Sequence, residues 1–313
     1  RIAEMARQSP KMGMTSLAYH MDMEWLLEAH RRTRKDGAVG VDGQSGKDYE
    51  ADLSGNLKDL LDRAKSGHYR APAVRRAYIP KGDGALRPLG IPTYEDKVLQ
   101  RAVLMLLEPV WEQDFLDCSF GFRPGRSAHG AVQALWEGLT RMGGGYVVDL
   151  DIRKYFDTIP HSLLREVLSR RIRDGVLMRL IGKWLAAGVL EGGATAFPEA
   201  GTPQGGVISP LLSNLYLHEV LDTWFENDVK PRLSGKAFMI RYADDAVLVF
   251  ANRADADRVM RVLPLRFAKY GLTLHPEKTM LLDFRHPHAR GKQETARATF
   301  DFLGFTHFWF YSW

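Results

Sequence analysis

Three aspartates can act together only if the fold gathers them. Asp244 and Asp245 are adjacent in FMIRYADDAVLVF (238–250), and Asp151 ends the stretch YVVDLD (146–151). Like charges side by side at a chain reversal repel, and the repulsion becomes tolerable when a divalent cation sits between the carboxylates. Two Mg²⁺ ions about 3.5–4 Å apart, held by such acids, clamp the attacking and leaving oxygens of an in-line phosphoryl displacement. On the hairpin alone an Asp-rich exposed turn would account for the pair. Asp151 tips the reading toward metal, with Asp151 and Asp244 bridging both ions and Asp245 a weaker ligand or tuning charge. Asp149 shares a strand face with Asp151 by two-residue alternation and is expected to be salt-bridged rather than metal-bound.

The second half of the chain must bring these acids together. YVVDLD reads as a strand. IPHSLLREVLSRRIRDG reads as a helix with Pro160 in its first turn and Gly175 after its end. SPLLSNLYLHEVLDTWF is a further helix, with Ser209 as N-cap and Pro210 at its first position. KAFMIRY and AVLVF form a hairpin, RADADRVMRVLPLRFAKYG a helix kinked at Pro264, and LTLHPEKTMLLDF a strand pair. With the segment from about 177 to 230 set aside, the order is β-α-β-β-α-β, the split-βαβ or ferredoxin-like arrangement of an α+β fold. There the first strand and the hairpin lie side by side at the centre of one antiparallel sheet, so the three acids meet at one edge.

The first hundred residues read differently. DMEWLLEAHRRTRK follows Asp22 as a helix, and KDYEADLSGNLKDLLDRAKSG is a second one stopping at Gly67. RRAYIPKGDGALRPLGIP (75–92) is a β-ribbon with GDG at its turn. Thr93 and Asp96 look like a capping box.

The chain has 313 residues, 45% hydrophobic, enough for a substantial core and more than one lobe. No run approaches the roughly 18 apolar residues of a membrane span. The single cysteine, Cys118, excludes an internal disulfide and any Cys-based zinc cluster, and fits a cytoplasmic setting. Arg1 in place of an initiating Met points to a piece of a longer chain. The net charge is +5, and basic residues bunch in HRRTRK (30–35), RRAYIPK (75–81), RPGR (123–126) and SRRIR (169–173). Together these bunches suggest a surface for a phosphate backbone.

YIPKGDGALRPLGIP (78–92), VVDLDIRKYFD (147–157), GTPQGGVISPLLSNLYL (201–217), YADD (242–245), LTLHPEKT (272–279) and FDFLGF (300–305) occur in the order of reverse transcriptase motifs. The chain most resembles the bacterial group II intron-encoded enzymes. TPQGG and SPLLSN distinguish it from retron and diversity-generating relatives.

The resemblance implies a right-hand polymerase fold. Residues 1–100 would form helical and β-ribbon fingers with an N-terminal extension, and 101–313 the palm, with about 160–203 returning to the fingers. A thumb helical bundle would follow Trp313. It also implies RNA-directed DNA polymerase activity on template RNA and a DNA primer with dNTP, and two Mg²⁺ ions for which Mn²⁺ can substitute. Binding of structured intron RNA, a maturase role, and no membrane partner complete the expectation.

Residue by residue, Lys81 and Arg87 match the grip on the incoming triphosphate, where an Arg fork holds two phosphate oxygens. Phe156 matches the steric gate against a 2′-hydroxyl, and Pro203, Gln204 and Gly205 the segment lying against nucleotide and template base. Ile152 joins the three aspartates at the metals, and Lys278 is the candidate general acid toward pyrophosphate. Phe302, Leu303, Gly304 and Phe305 match the primer grip. Alternatives within the same chemistry are a CRISPR-associated or DNA-repair reverse transcriptase. Alternatives of other classes are an RNA-binding maturase without essential polymerase activity, and a metal-dependent phosphodiesterase. Lys81, Arg87 and Phe156 speak against the last, which needs neither a triphosphate grip nor a sugar gate.

Overall fold

The computed structural model describes residues 1–80, 84, 86–197, 200–202, 205–286 and 298–309. The chain forms two compact units, each built from two separate stretches: residues 1–114 with 156–215, and 115–155 with 216–313. Helix and sheet are mixed throughout, an α+β protein.

The first unit opens with α1 (Ile2–Gln8) and α2 (Met23–Arg32), the latter capped by Asp22, which accepts from the Trp25 N–H at 2.9 Å. The stretch read as one long helix divides into α3 (Gly46–Glu50) and α4 (Leu53–Ser66). Asp52 causes the break, because its carboxylate caps α4 by accepting from Gly55 N at 3.2 Å. Gly67 ends α4 in the left-handed region, φ 90°. Strands β1 (Val74–Pro80) and β2 (Leu86–Ile91) pair antiparallel from Arg75↔Ile91 to Pro80↔Leu86. Of the GDG turn expected between them, only Gly84 is among the described residues.

Thr93 caps α5 (Tyr94–Trp111), its hydroxyl accepting from Asp96 N, yet the expected box is only half formed. The Asp96 carboxylate turns inward and accepts from the buried Trp184 indole N–H at 3.2 Å, a donor that needs a partner away from water.

The chain then enters the second unit through α6 (Ala128–Met142) and β3 (Tyr146–Leu150), and returns to the first through α7 (Tyr155–Thr158). Sequence reasoning ran one helix on to Gly175. Instead α8 (His161–Ser169) stops early, and Gly175 begins α9 (Gly175–Leu185). Asp174 is the reason: its buried carboxylate caps α9 by accepting from Val176 N and Leu177 N at 2.9 and 3.1 Å. Strands β4 (Val189–Glu191) and β5 (Ala194–Ala196) extend the first unit's sheet to the order β2-β1-β4-β5.

Helix α10 (Ser209–Leu217) leads into π-helical turns at His218–Asp222 and Phe225–Val229. The second unit then adds β6 (Ala237–Tyr242), β7 (Asp245–Phe250), α11 (Arg253–Lys269), β8 (Met280–Asp283), β9 (Phe300–Phe302) and β10 (Phe305–His307). Its four-stranded sheet has the order β6-β7-β3-β8, every neighbour antiparallel. Alternation sorts the sheet's two faces. Val147, Ile240, Val247 and Val249 join Ala131, Leu135 and Leu139 of α6 and Phe284, Phe300 and Phe302 in one core. Val148, Leu150, Ala246, Leu248 and Phe250 lie on the opposite face. Leu274, read as part of a strand, contributes one isolated bridge to Ile152. Among the described residues no helix is long and apolar enough to cross a membrane.

Candidate active site

Strand register aligns the acids. The last ladder pair of β3 and β7 is Leu150↔Ala246, so one further step brings Asp151 abreast of Asp245. Asp149 lies two residues back on the same face, diagonal to Asp245. Burial first, then the charges of Asp245, Asp151 and Asp301, push the Asp149 carboxyl up to about 6. The expected salt bridge to Asp149 is replaced by this acidic crowd: no cation pairs with it among the described residues. Asp244, half-buried, occupies the β6–β7 turn, and its charge is felt by the fully buried Tyr155 hydroxyl, held well above its ordinary range chiefly by burial.

The turn carrying the acid pair is held from below. Ala243 takes the left-handed conformation, φ 56°. Arg241 is completely buried and donates to both carboxylate oxygens of Asp222 (2.7 and 2.6 Å), to Ser119 Oγ (2.8 Å) and to the Ala243 carbonyl (2.8 Å). Burial works to raise Asp222, and the charge and hydrogen bonds of Arg241 outweigh it, leaving the carboxyl below its ordinary value. The 118–121 loop runs along β6, with Arg241 N donating to Cys118 O and Phe120 N to Arg241 O. Gly121 packs so closely that an added Cβ would lie 2.3 Å from Ala243 N.

Asp151 is fixed from the other side by LTLHPEKT. His275 N donates to the Asp151 carbonyl at 2.8 Å, and Thr279 Oγ1 contacts both the carbonyl and the N–H of Asp151. His275 Nδ1 accepts from Glu277 N and Lys278 N at 3.3 Å each, closing the turn that sets Lys278 Nζ 3.5 Å from Asp151 Oδ2. Ile152 is buried and offers only main-chain oxygen to a metal. Arg241, Asp222, Gly121, His275 and Thr279 were all missed by sequence reasoning. A charge inside an otherwise apolar strand was the one available signal, since buried charges require partners.

The donor chemistry, hard carboxylate oxygens, is of the kind a divalent cation takes. Among the described residues no group of three or more acidic, His or Cys side chains is placed to hold a metal ion. Mg²⁺ needs only one or two protein carboxylates, since water and substrate phosphates fill much of its coordination shell.

The remaining sequence-derived residues divide by location. Lys81, Pro203 and Gln204 lie outside the described residues. In the first unit Arg87 is exposed on β2, opposite Ile79. Gly205, φ 111°, packs against the Gly90 carbonyl of β2, where an added Cβ would come within 2.7 Å. Phe156 is half-buried on α7, and its carbonyl accepts from Thr202 N at 2.7 Å. In the second unit FLGF is a hairpin rather than one strand. Phe302 enters the core and Phe305 stays exposed against the His129 ring, while Leu303 and Gly304 form the turn at φ 54° and 80°.

Much of the basic bunching proves structural. Arg171 is buried on Asp114 and the Ser9, Met12 and Ala6 carbonyls. Arg123 is buried over Phe115 with the Leu116 and Ser119 carbonyls. Arg75 binds Val39 O, and Arg31, Arg32 and Arg34 pair with nearby acids.

A profile of the reverse transcriptase (RNA-dependent DNA polymerase) family matches residues 79–307. The chain belongs to that family. Protein YkfC of Escherichia coli (strain K12) is 42% identical to it over 257 residues, 72% of this chain and 68% of that protein. Group II intron-encoded protein LtrA of Lactococcus lactis subsp. cremoris is 43% identical over 166 residues, 52% of this chain and 27% of that protein. Nuclear intron maturase 2, mitochondrial, of Arabidopsis thaliana is 30% identical over 177 residues, 44% of this chain and 24% of that protein. The match to intron-encoded relatives places this reverse transcriptase in the group II intron branch. It spans about a quarter of the length of LtrA and of the plant maturase.

Proposed function

We propose that this reverse transcriptase is an RNA-directed DNA polymerase that transfers a nucleotide from dNTP to a primer 3′-hydroxyl on an RNA template. The observation that supports this most is the β3–β7 register, which aligns Asp151 with Asp245 beside the Asp244 turn. The strand order β6-β7-β3-β8, all antiparallel, supports reading the second unit as a split-βαβ palm. The first unit, with its β1–β2 ribbon, reads as fingers.

Asp151, Asp244, Asp245 and the Ile152 carbonyl would hold two Mg²⁺ ions. When bound, these ions lower the pKa of the attacking hydroxyl and neutralise charge on the phosphates. Asp149, raised first by burial and then by the charges of Asp245, Asp151 and Asp301, borders the site. Lys278, within reach of Asp151, supplies a cation and a transferable proton toward the departing pyrophosphate. Lys81 and Arg87 grip the triphosphate, and the Phe156 ring excludes a ribose 2′-hydroxyl. Pro203, Gln204 and Gly205 lie against nucleotide and template base, and the 302–305 turn contacts the primer. Binding of structured intron RNA is proposed beside synthesis, on the strength of the intron-encoded and maturase relatives.

Asp244→Asn tests the reading. Primer extension should fall by about 10³-fold or more, as when a charge acting in the transition state is removed, while RNA binding by filter retention stays within about twofold. Full incorporation by the variant would refute it.

A further inference from the structure

The backbone behind Phe156 is stitched to the 200–202 segment within the first unit. Thr202 N donates to the Phe156 carbonyl at 2.7 Å, Gly201 N donates to the Ile159 carbonyl at 2.8 Å, and Pro160 bridges Ala200. Gly201 sits at φ 97° with no room for a side chain: an added Cβ would lie 2.9 Å from the Phe156 carbonyl. One side chain fixes the Gly201 carbonyl. His161, the first residue of α8, places Nε2 2.6 Å from the Gly201 carbonyl. A carbonyl only accepts, so Nε2 carries the hydrogen and donates. The half-buried imidazole is therefore clamped on the residue that neighbours Thr202, whose N–H holds the Phe156 backbone.

We propose that His161 is a positioning residue for sugar discrimination: its Nε2–H fixes Gly201, and through the 201–202 segment it sets the height of the Phe156 ring under the incoming nucleotide. This rests on Phe156 being the gate. Small displacements of a gate change the fit of a 2′-hydroxyl far more than they change chemistry on the correct sugar.

Single-nucleotide incorporation of dGTP and GTP opposite an RNA template, with KM and kcat measured separately, tests this. His161→Leu should raise GTP use relative to dGTP roughly fivefold, the scale of one lost hydrogen bond, mostly through KM. His161→Gln, whose amide N–H can occupy the position of Nε2–H, should stay within about twofold of the parent. Should His161→Leu fail to fold, His161→Asn, too short to reach Gly201, gives the same reading. Phe156→Val is the internal control. Unchanged selectivity in Phe156→Val would sink the gate reading itself. Relaxed selectivity in Phe156→Val with none in His161→Leu would overturn the His161 proposal alone. Equal loss of kcat in the Leu and Gln variants, with selectivity intact, would also overturn it and leave His161 a merely structural residue.

Discussion

Two tight turns of the second unit make the same backbone demand and meet it with unequal support. In the β6–β7 turn Ala243 is left-handed, and in the β9–β10 turn Leu303 is. Beneath the first lie a buried Arg241–Asp222 pair and a loop packed against it at Gly121. The second has three ladder pairs and an exposed hydrogen bond from Thr306 Oγ1 to Asp301. The lesson is that local strain does not set the two turns apart. The bracing does: the turn that presents the acid pair is fixed from the interior by groups whose removal would be costly.

The largest break in this comparison should come from Arg241. Arg241→Met leaves Asp222 buried with only His218 beside it, and should lower unfolding free energy by about 3–5 kcal/mol in urea titrations. Asp301→Asn at the other turn should cost under about 1 kcal/mol, as exposed contacts do. Arg241→Met with Asp222→Leu should recover most of the stability but not nucleotide incorporation, because the Ala243 carbonyl still lacks its donor. A fully active double variant would show that the bracing has no functional role.

Gly121→Ala comes next. Its Cβ meets Ala243 backbone that cannot yield, and a loss of about 1–3 kcal/mol is expected, with slower incorporation. Gly304→Ala meets nothing within 4 Å and suffers only from its φ of 80°, about 1 kcal/mol. Equal activity losses at the two glycines would erase the distinction.

Asp149 lies within the electrostatic reach of both turns, since Asp245 and Asp301 each raise it. Its folded value of about 6 lies above the ordinary 3.8, so the folded state binds this proton more tightly than the unfolded chain. The stabilisation is complete below about pH 4 and is lost as pH rises through 6. After allowance for solvent screening it is about 1 kcal/mol. Asp149→Asn should flatten that slope in urea midpoints measured from pH 4 to 8, and Asp245→Asn should shift it more than Asp301→Asn.

The smallest effect is conformational. Ala243→Gly relieves a left-handed Ala and should gain about 0.5 kcal/mol in thermal unfolding. Leu303→Gly obtains the same relief but loses the side chain's packing on the core, so no net gain is expected.

The acids and the strands that carry them were legible because short continuous apolar runs with charged ends are local facts of sequence. Cap residues were legible only in part. Asp22 and Thr93 acted as read, while Asp52 and Asp174 started helices that periodicity had merged with their neighbours. Asp96 illustrates the limit: its spacing from Thr93 spells a box, but the partner that won, Trp184, arrives from far along the chain. The same holds for Arg123 and Arg171, counted as nucleic-acid surface because a run of basic residues does not disclose which carbonyls lie above it. Arg241 needed Asp222, which a π-helical turn carries into reach, and no propensity announces such a turn.

The interleaving of the two units has a consequence for biosynthesis. Strand β3 sits between β7 and β8, so on the ribosome it emerges long before either neighbour and spends seconds with both edges open. An apolar YVVDL with free edges invites the wrong partners. Asp149 and Asp151 are expected to act there as gatekeepers, charges that keep the waiting strand from joining another nascent chain. Neutralising both should reduce the yield of protein as well as its activity.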